Sequence, residues 1–346
     1  VKKTYIDTAM ERIAPDLILK GGNVVDVFSG RVIKADVIIK DGIICGVGSY
    51  SGENEQDVSG KYIMPGFIDS HVHIESSMTQ PSEYAKAVMP HGITTVIADP
   101  HEITNVCGED GLEFMLKSAE NIPLDVNLML PSCVPATPFE HTGANLDAKT
   151  TQKLAPKFFG IGEMMNYPGI VSGDDETLGK LCLDIIDGHA PLLSGHELDA
   201  YASAGIKTDH ECSVVEEMTE KISKGMYILL REGTLSLDVA KLIKGVTPYT
   251  LRRCALCTDD RFVGEIIRDG SIDHCIRKAV SLGLNNIDAI IMATLNACEI
   301  YGMKNKGAIA PSYVADIVVA DDFAHHPTEL NATLTAAMHM LFRSSL

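Results

Sequence analysis

The amino-acid sequence predicts an α/β fold, in which a (β/α)8 barrel of the TIM type carries a small β-domain. Over residues 63–305, apolar strand-like segments alternate with segments whose apolar residues have helical spacing. Such alternation is typical of a parallel sheet covered by helices. The stretch is long enough for eight units, for which about 250 residues are typical. Short turn-rich β segments flank it on both sides and predict a second, smaller sheet.

The small β-domain is predicted from both ends of the chain. Residues 16–58 contain short β-rich runs broken by Gly, Asn and Asp, as in DLILKGGNVVDVFSG and ADVIIKDGIICGVG, which indicate an antiparallel sheet with tight turns. We assign residues 1–62 to this domain. Residues 306–322, KGAIAPSYVADIVVADD, are predicted to return to it as a composite β-sandwich, and residues 323–346 form an atypical tail.

Eight strand candidates define the barrel. In chain order they read MPGFIDSH, ITTVIADP, LDVNLML, FFGIGEM, LDIIDGHA, AGIKTDHE, MYILLREG and CALCTDD. Helical candidates between and after them include PSEYAKAVMPHG, CGEDGLEFMLKSAEN, SVVEEMTEKISKG, LSLDVAKLIKGV and NNIDAIIMATLNACEIYG. Cys254 and Cys257 form a CxxC pair inside the last strand candidate, where apolar neighbours favour strand residues over zinc ligands.

Composition narrows the classes of function. The chain has 346 residues and a formal net charge of −18, with no run of Lys and Arg. Nucleic-acid binding requires clustered cations, so we expect a small-molecule substrate and no nucleic-acid partner. No secretory signal and no apolar stretch long enough for a bilayer is evident, and the nine cysteines are an odd number. We therefore expect a cytoplasmic protein with reduced thiols and no membrane partner.

Polar side chains cluster where the barrel strands end, which is the end that carries the chemistry of such barrels. The residues at these ends are Asp69, His71, His73, Asp99, His101, Glu102, Glu163, His189, Asp209, His210, Glu211, Asp259 and Asp260. A single strand-end histidine is more often a hydrogen-bonded structural residue than a ligand. Four histidines and two acids at the ends of five strands are costly to bury unless something satisfies them together.

A metal centre would satisfy this set. His71 and His73 lie two residues apart, so in an extended chain both side chains point to one face. Four imidazoles and additional carboxylates exceed what a single tetrahedral ion needs, and they suit two divalent metal ions that share a hydroxide. Such a pair generates a nucleophile from water at neutral pH. The pattern predicts metal-assisted hydrolysis, with Asp259 as a metal ligand and proton shuttle.

Several ordered stretches resemble the amidohydrolase superfamily and, within it, the adenine deaminase family. They are PGFIDSHVHIESSM, VIADPHEI, GIGEMMNYPGI, DGHAP, LSGHELDAYASAGIKTDHE and CTDDR. The resemblance implies that His71, His73 and Asp259 hold one metal and that His189 and His210 hold the other. Glu163 would be shared by both, where many relatives use a carboxylated lysine. Manganese or iron is implied, and the sequence leaves zinc open.

The resemblance also implies a reaction. A metal-bound hydroxide would attack C6 of adenine, a purine base, giving hypoxanthine and ammonia. Asp259 and Glu163 would be the catalytic residues, with Asp259 carrying the proton to the leaving amine. The predicted substrate-binding residues are Glu75, Ser76, Ser77, Asp99, His101, Glu102 and Glu211. Ser76 and Ser77 have an alternative interpretation as caps of the next helix.

The chain departs from the family pattern at three points. Longer members carry a C-terminal domain that the last residues of this chain do not resemble. His196 stands where a lysine is expected, and Phe262 and Val263 replace a His-Pro pair beside Asp259. The departure next to Asp259 could alter the substrate preference.

Two other functions compete with deamination. One is hydrolysis of a cyclic amide, as in hydantoinases, which Glu163 in place of the bridging lysine disfavours. The other is a shortened, inactive chain that binds metal or associates with a partner, a homo-oligomer being left open. A nucleic-acid deaminase is disfavoured by the negative charge and by the lack of the zinc-deaminase PCxxC signature.

Overall fold

The computed structural model describes residues 2–137, 139–321 and 333–334. The strands are β1 (Leu17–Asp26), β2 (Arg31–Lys40), β3 (Ile43–Gly48), β4 (Glu55–Asp57), β5 (Tyr62–Pro65), β6 (Phe67–Val72), β7 (Ile93–Ala98), β8 (Asp125–Leu130), β9 (Gly160–Met164), β10 (Ile186–Gly188), β11 (Thr208–Asp209), β12 (Tyr227–Arg231), β13 (Cys254–Cys257), β14 (Ile317–Ala320) and β15 (Thr333–Leu334). The α-helices are α1 (Lys2–Ala9), α2 (Pro81–Val88), α3 (His101–Ser118), α4 (Ala148–Leu154), α5 (Tyr167–Ser172), α6 (Asp175–Gly179), α7 (Gly195–Ser203), α8 (Val215–Ser223), α9 (Val239–Leu242), α10 (Val263–Asp269), α11 (Ile272–Ser281), α12 (Asn286–Met292) and α13 (Leu295–Ile300).

One sheet combines strands from both ends of the chain. β1 pairs with β2 antiparallel and with β5 parallel, and β14 returns to pair with β5 antiparallel, with Val318 opposite Met64. The order is β15-β14-β5-β1-β2-β3, and β4 also pairs with β1. Its buried side chains include Leu19, Val37 and Ile63, which pack with Val319 from the returning strand. β1, β2 and β3 pair antiparallel, whereas β4 and β5 run parallel to β1, so the sheet is mixed where the sequence predicted an antiparallel one.

Eight parallel strands, β6 to β13, follow one another in chain order. Seven of them lie within their strand candidates, and β6 extends one residue beyond its candidate, to Val72. β6 to β10 form one sheet and β11 to β13 form another. A parallel bridge between Val72 and Asp259 joins β6 to the end of β13, and the Lys207 amide donates to the Ile186 carbonyl across the other junction, at 3.3 Å. This curled arrangement is compatible with a TIM-type barrel.

The parallel strands are buried on both faces, as is usual for a parallel sheet that helices cover. Every residue of β6, β7, β9 and β13 is buried. Cys254 and Cys257 lie in β13 with fully buried thiol groups, as their apolar neighbours predicted.

The helices differ from the sequence-based expectation in several places. α1 was not predicted. α3 begins six residues earlier than its candidate segment and is kinked at Gly108, whose φ is 56°. The single helix predicted over residues 285–302 is two helices, α12 and α13, because Thr294 between them has non-helical dihedral angles (φ −140°, ψ −86°). Among the described residues, none of the helices is long and apolar enough to cross a membrane.

Gly66 lies at the junction between the mixed sheet and the barrel. Its amide donates to the Asp316 carbonyl at 2.9 Å, so the chain entering β6 is held against the segment that leads into β14. A Cβ atom at this position would lie 2.1 Å from Thr94 Oγ1 and 2.6 Å from Asp316 Oδ1, and real Cβ atoms are not found that close to a neighbour. The junction therefore requires glycine.

We expect Gly66→Ala to lower the free energy of unfolding by about 1–3 kcal/mol, the usual cost of overpacking a buried position. Chemical denaturation measures this. The matched control is Gly264→Ala in α10, where the added methyl group meets nothing within 4 Å. Equal stability of the two variants would contradict the close packing at the junction.

Candidate metal centre

The six predicted metal ligands meet at the carboxyl ends of the barrel strands. His71 is in β6 and His73 follows it, Glu163 is in β9, and His189, His210 and Asp259 follow β10, β11 and β13. Five of the six are at most 6% exposed, and His189 is partly buried. Five strands therefore bring their polar ends to one buried point.

The carboxylate of Glu163 lies at the middle of this cluster. Its Oε2 atom is 2.8 Å from His189 Nδ1 and 2.9 Å from His210 Nε2. On the other side, His71 Nε2 lies 3.8 Å from Oε2 and His73 Nε2 lies 3.8 Å from Oε1. One carboxylate thus faces both pairs of histidines, as expected for a group that two cations share.

Asp259 completes the half of the cluster that contains His71 and His73. Its Oδ1 atom is 3.1 Å from His73 Nε2 and 3.5 Å from His71 Nε2. The backbone of Asp259 has a φ of 57°, a left-handed conformation that Asp tolerates better than most residues. Its amide donates to the His71 carbonyl and its carbonyl accepts from the His73 amide. The contact between β6 and the end of β13 therefore places this carboxylate.

The hydrogen bonding of the histidines fits a bound cation. His73 Nδ1 is 2.8 Å from the Asp99 carbonyl oxygen, which can only accept, so Nδ1 carries the hydrogen. In the neutral ring, Nε2 then presents a lone pair. This atom is 3.1 Å from His71 Nε2. Two ring nitrogens at that distance need a proton or a cation between or beside them, and a metal-bound histidine typically donates its other nitrogen to such a carbonyl.

The charges of the cluster lead to the same conclusion. Burial lowers the pKa of His71, but Asp187 and Asp259 outweigh it and raise the pKa to about 10. Burial would raise the pKa of Glu163, yet hydrogen bonds from His189 and His210 bring it well below its usual value. The acids thus attract positive charge strongly, which protons supply in the metal-free cluster and a metal ion can supply instead. Groups of three donors with these properties include His71, His73 and Glu163, and also Glu163, His189 and His210.

Glu75, Ser76 and Ser77, the predicted substrate-binding residues that follow β6, have different hydrogen-bond partners. Glu75 Oε1 accepts from the Ile103 amide at 3.3 Å, and burial and then Glu102 raise its pKa to about 7. The Ser76 hydroxyl contacts Asp260. The Ser77 hydroxyl donates to the Ile74 carbonyl at 2.6 Å and is used locally. Neither serine caps α2, which begins after Gln80, so the capping interpretation was wrong.

Residues after β7 and β11 lie against the cluster. Asp99 is buried, and its Oδ2 accepts from the Glu163 amide at 2.9 Å. His101 Nδ1 is 3.2 Å from Glu163 Oε1, and Glu102 Oε2 is 3.5 Å from His73 Nδ1. Glu211 Oε1 is 3.8 Å from His189 Nδ1. Asp99 therefore orients the backbone of Glu163, while the other three side chains surround the centre.

Arg231 was missed by the sequence analysis. At the end of β12, its Nη1 atom donates to Asp259 Oδ2 at 2.9 Å and also contacts Glu211, and its Nε atom donates to Asp238 Oδ2 at 3.1 Å. The side chain is buried, so the guanidinium fixes Asp259 with its other oxygen toward the histidines. The feature of the sequence that could have indicated Arg231 is its position as the charged residue at the end of the apolar run ILLR.

The positions that depart from the family pattern lie at different depths. The His196 side chain is fully exposed on α7. Phe262 directly precedes α10 and is 47% exposed, and Val263 is the first residue of that helix. Phe262 and Val263 thus follow Asp259 into a surface helix.

Comparison with known proteins places this geometry in a family. The profile of the amidohydrolase family matches residues 62–341. The chain is 51% identical over 330 residues to "Adenine deaminase 2" of Desulfotalea psychrophila, covering 93% of this chain and 57% of that protein. It is 51% identical over 324 residues to "Adenine deaminase" of Clostridium acetobutylicum, covering 92% of this chain and 57% of that protein. The chain thus spans little more than half the length of these relatives.

Solved structures share the fold. A crystal structure of an adenine deaminase aligns with a TM-score of 0.62 at 18% identity, covering 88% of this chain and 89% of that one. Enamidase, described as a member of the amidohydrolase superfamily, aligns with a TM-score of 0.65 at 18% identity, covering 87% of this chain and 86% of that one. At such identities the likeness concerns the fold alone, whereas the family profile covers most of the sequence. The chain belongs to the amidohydrolase family.

Proposed function

We propose that this chain catalyses the hydrolytic deamination of adenine to hypoxanthine and ammonia. The observation that carries the proposal is the buried Glu163 carboxylate, which four histidines approach within 3.8 Å from two sides. The identity of about half of all aligned residues to proteins named adenine deaminase supports the choice of substrate.

Two divalent cations fit the proposed centre. His71, His73, Asp259 and Glu163 would hold one cation, and His189, His210 and Glu163 the other. Bound there, the cations would lower the pKa of water and polarise the group under attack. We propose manganese or iron, with zinc as the alternative, because imidazole and carboxylate ligands suit all three.

The protein groups around the centre have separate roles in the proposed reaction. Asp259 Oδ1 accepts a proton from the attacking water and passes it to the amino nitrogen at C6, so that a C–O bond forms as the C–N bond breaks and ammonia leaves. Arg231 holds Oδ2 of the same carboxylate at 2.9 Å, which keeps Oδ1 directed toward the histidines. Proton transfer by a positioned carboxylate depends on this geometry first.

Recognition of the purine base is assigned to side chains that surround the centre. Glu75, Ser76, His101, Glu102 and Glu211 offer donors and acceptors there, and a flat heterocycle with ring nitrogens requires both. The two other predicted residues, Ser77 and Asp99, have local partners: Ser77 bonds Ile74 and Asp99 bonds the Glu163 amide. We therefore give them supporting roles.

The proposed domain division separates the parallel strands β6–β13 from the mixed sheet, although β5 (Tyr62–Pro65), which pairs with β1 and β14, crosses the boundary after residue 62. Residues 63–305 would form a complete (β/α)8 barrel, and residues 1–62 and 306–322 a small β-domain. The predicted tail, residues 323–346, lies outside the described residues except for Thr333–Leu334. A cytoplasmic location and a homo-oligomeric state stay predictions.

Manganese binding to metal-free protein at about pH 7 should release protons. The raised pKa of His71, about 10, keeps this ring protonated at that pH, and a histidine must be neutral to bind a metal. Affinity should therefore increase as the pH rises toward 9. Calorimetry in two buffers of different ionisation enthalpy counts the protons, and His196→Asn should behave as the wild type. Identical binding heats in both buffers would contradict the proposed charge balance.

Asp259→Asn should lower the kcat of ammonia release from adenine by at least about 100-fold, the usual contribution of a positioned proton-transfer group. The asparagine keeps the shape but cannot carry the proton. Ammonia release and hypoxanthine formation by the manganese-loaded protein are measured. The control is Asp199→Asn in α7, which removes an exposed carboxylate paired with Lys224.

Three results would contradict the proposal. Wild-type activity of Asp259→Asn would remove this residue from the reaction. Hydrolysis of hydantoin or dihydroorotate in place of adenine would favour the cyclic-amide alternative. Two bound metals per chain without ammonia release would favour a metal-binding chain that is inactive by itself.

A further inference from the structure

His189 and His210 lie on neighbouring loops that share one buried lysine. Lys221 in α8 is completely buried, and its Nζ atom donates to three acceptors. They are the Ala190 carbonyl at 2.7 Å, Asp209 Oδ2 at 3.0 Å and Glu217 Oε1 at 2.7 Å. All three ammonium hydrogens thus have partners inside the protein.

The two carboxylates extend this network into the backbone of both loops. Asp209 Oδ2 also accepts from the Ala190 amide at 3.0 Å, and its Oδ1 accepts from the Glu211 amide at 2.7 Å. Glu217 Oε1 accepts from the Leu192 amide at 2.7 Å. The network therefore holds the residue after His189 and the residues on both sides of His210.

The charge of Lys221 is needed at this position. Burial lowers the pKa of the lysine, but Asp209 and Glu217 raise it, and the result is a pKa of about 12. Without the ammonium group, two buried carboxylates would face each other unpaired, which is unfavourable. The lysine is also too deep to contact a substrate in the centre, so its effect must pass through the loops.

The opposite half of the centre depends on different residues. Asp69 is completely buried and accepts from the Thr258 amide at 3.0 Å and from the Thr258 hydroxyl. The His71 amide lies 3.4 Å from the same carboxylate. Asp69 and Thr258 thus link the ends of β6 and β13, which carry His71, His73 and Asp259. The two networks use separate sets of side chains.

We propose that Lys221 is a positioning residue for one half of the metal centre, the half formed by His189, His210 and Glu163. It fixes the two loops relative to each other and so sets the affinity of this half for a divalent cation. The Asp69–Thr258 pair does the same for the half with His71, His73 and Asp259. This inference rests on the two-cation centre of the proposed function.

The test is a manganese titration of the full chain, followed by calorimetry and by metal analysis. The wild type is expected to bind two ions. Lys221→Met should lower the affinity for one of the two ions by roughly tenfold, which is the lower end of the usual effect of losing a residue that orients metal ligands. The affinity for the other ion should not change. Thr258→Val should weaken one ion in the same way. The matched control is Lys224→Met, which removes a partly exposed lysine just after α8.

Double variants show which half is affected. In a His210→Ala background the ion held by His71 and His73 remains, and adding Lys221→Met should not change its affinity. In a His71→Ala background the other ion remains, and Lys221→Met should weaken it. Thr258→Val should give the reverse pattern. If Lys221 were merely structural, Lys221→Met would lower thermal stability and reduce the affinity for both ions alike, and this result would overturn the inference.

Two further outcomes are decisive. If the wild type binds two ions and Lys221→Met binds both with unchanged affinity, the role of Lys221 is wrong and the two-cation centre stands. If the wild type binds no ion, the centre and the inference are both overturned.

Should Lys221→Met not fold, Glu217→Gln replaces it, because this variant weakens the network and keeps the ammonium group. If Glu217→Gln lowers the metal affinity of the half with His189 and His210 alone, the inference is supported. If it lowers the affinity of both halves equally or of neither, the inference is overturned.

Discussion

The site depends on one electrostatic constraint, the burial of the Glu163 carboxylate. A carboxylate that is 3% exposed is costly unless positive charge and hydrogen-bond donors surround it. Five imidazoles approach it within 4 Å, from His71, His73, His101, His189 and His210. These rings follow or belong to four strands that lie apart in the sequence. Because the strands are parallel, their carboxyl ends lie together and bring the rings to the carboxylate. A pair of cations would supply this positive charge in place of protons.

The surrounding fold leaves this carboxylate little freedom. Gly162, just before it, has no room for a side chain, because a Cβ atom would lie 2.1 Å from Asp99 Oδ2. Asp99 can therefore reach the Glu163 amide directly. On the opposite side, Asp259 is fixed by backbone hydrogen bonds to His71 and His73 and by the Arg231 guanidinium. The same contacts that join the end of β13 to β6 thus orient the groups assigned to proton transfer and metal binding.

The sequence predicted the parts that depend on local order. Apolar strands alternating with helices predicted all eight parallel strands, and their polar ends predicted the six candidate ligands. It failed where the decisive contact is remote along the chain. Arg231 contacts Asp259, 28 residues away in the sequence, and Lys221 contacts Ala190, 31 residues away. From the neighbouring sequence alone, the two residues therefore look like an ordinary strand-end charge and an ordinary helix charge. The break at Thr294 likewise interrupts a regular helical pattern.

The most direct test of the two-cation centre is a crystal structure of the manganese-loaded chain with an anomalous difference map. We expect two peaks, one beside His71, His73 and Asp259 and the other beside His189 and His210, with Glu163 in contact with both. A single peak that Glu163 does not contact, or peaks elsewhere with the histidines unligated, would contradict the central role of this carboxylate.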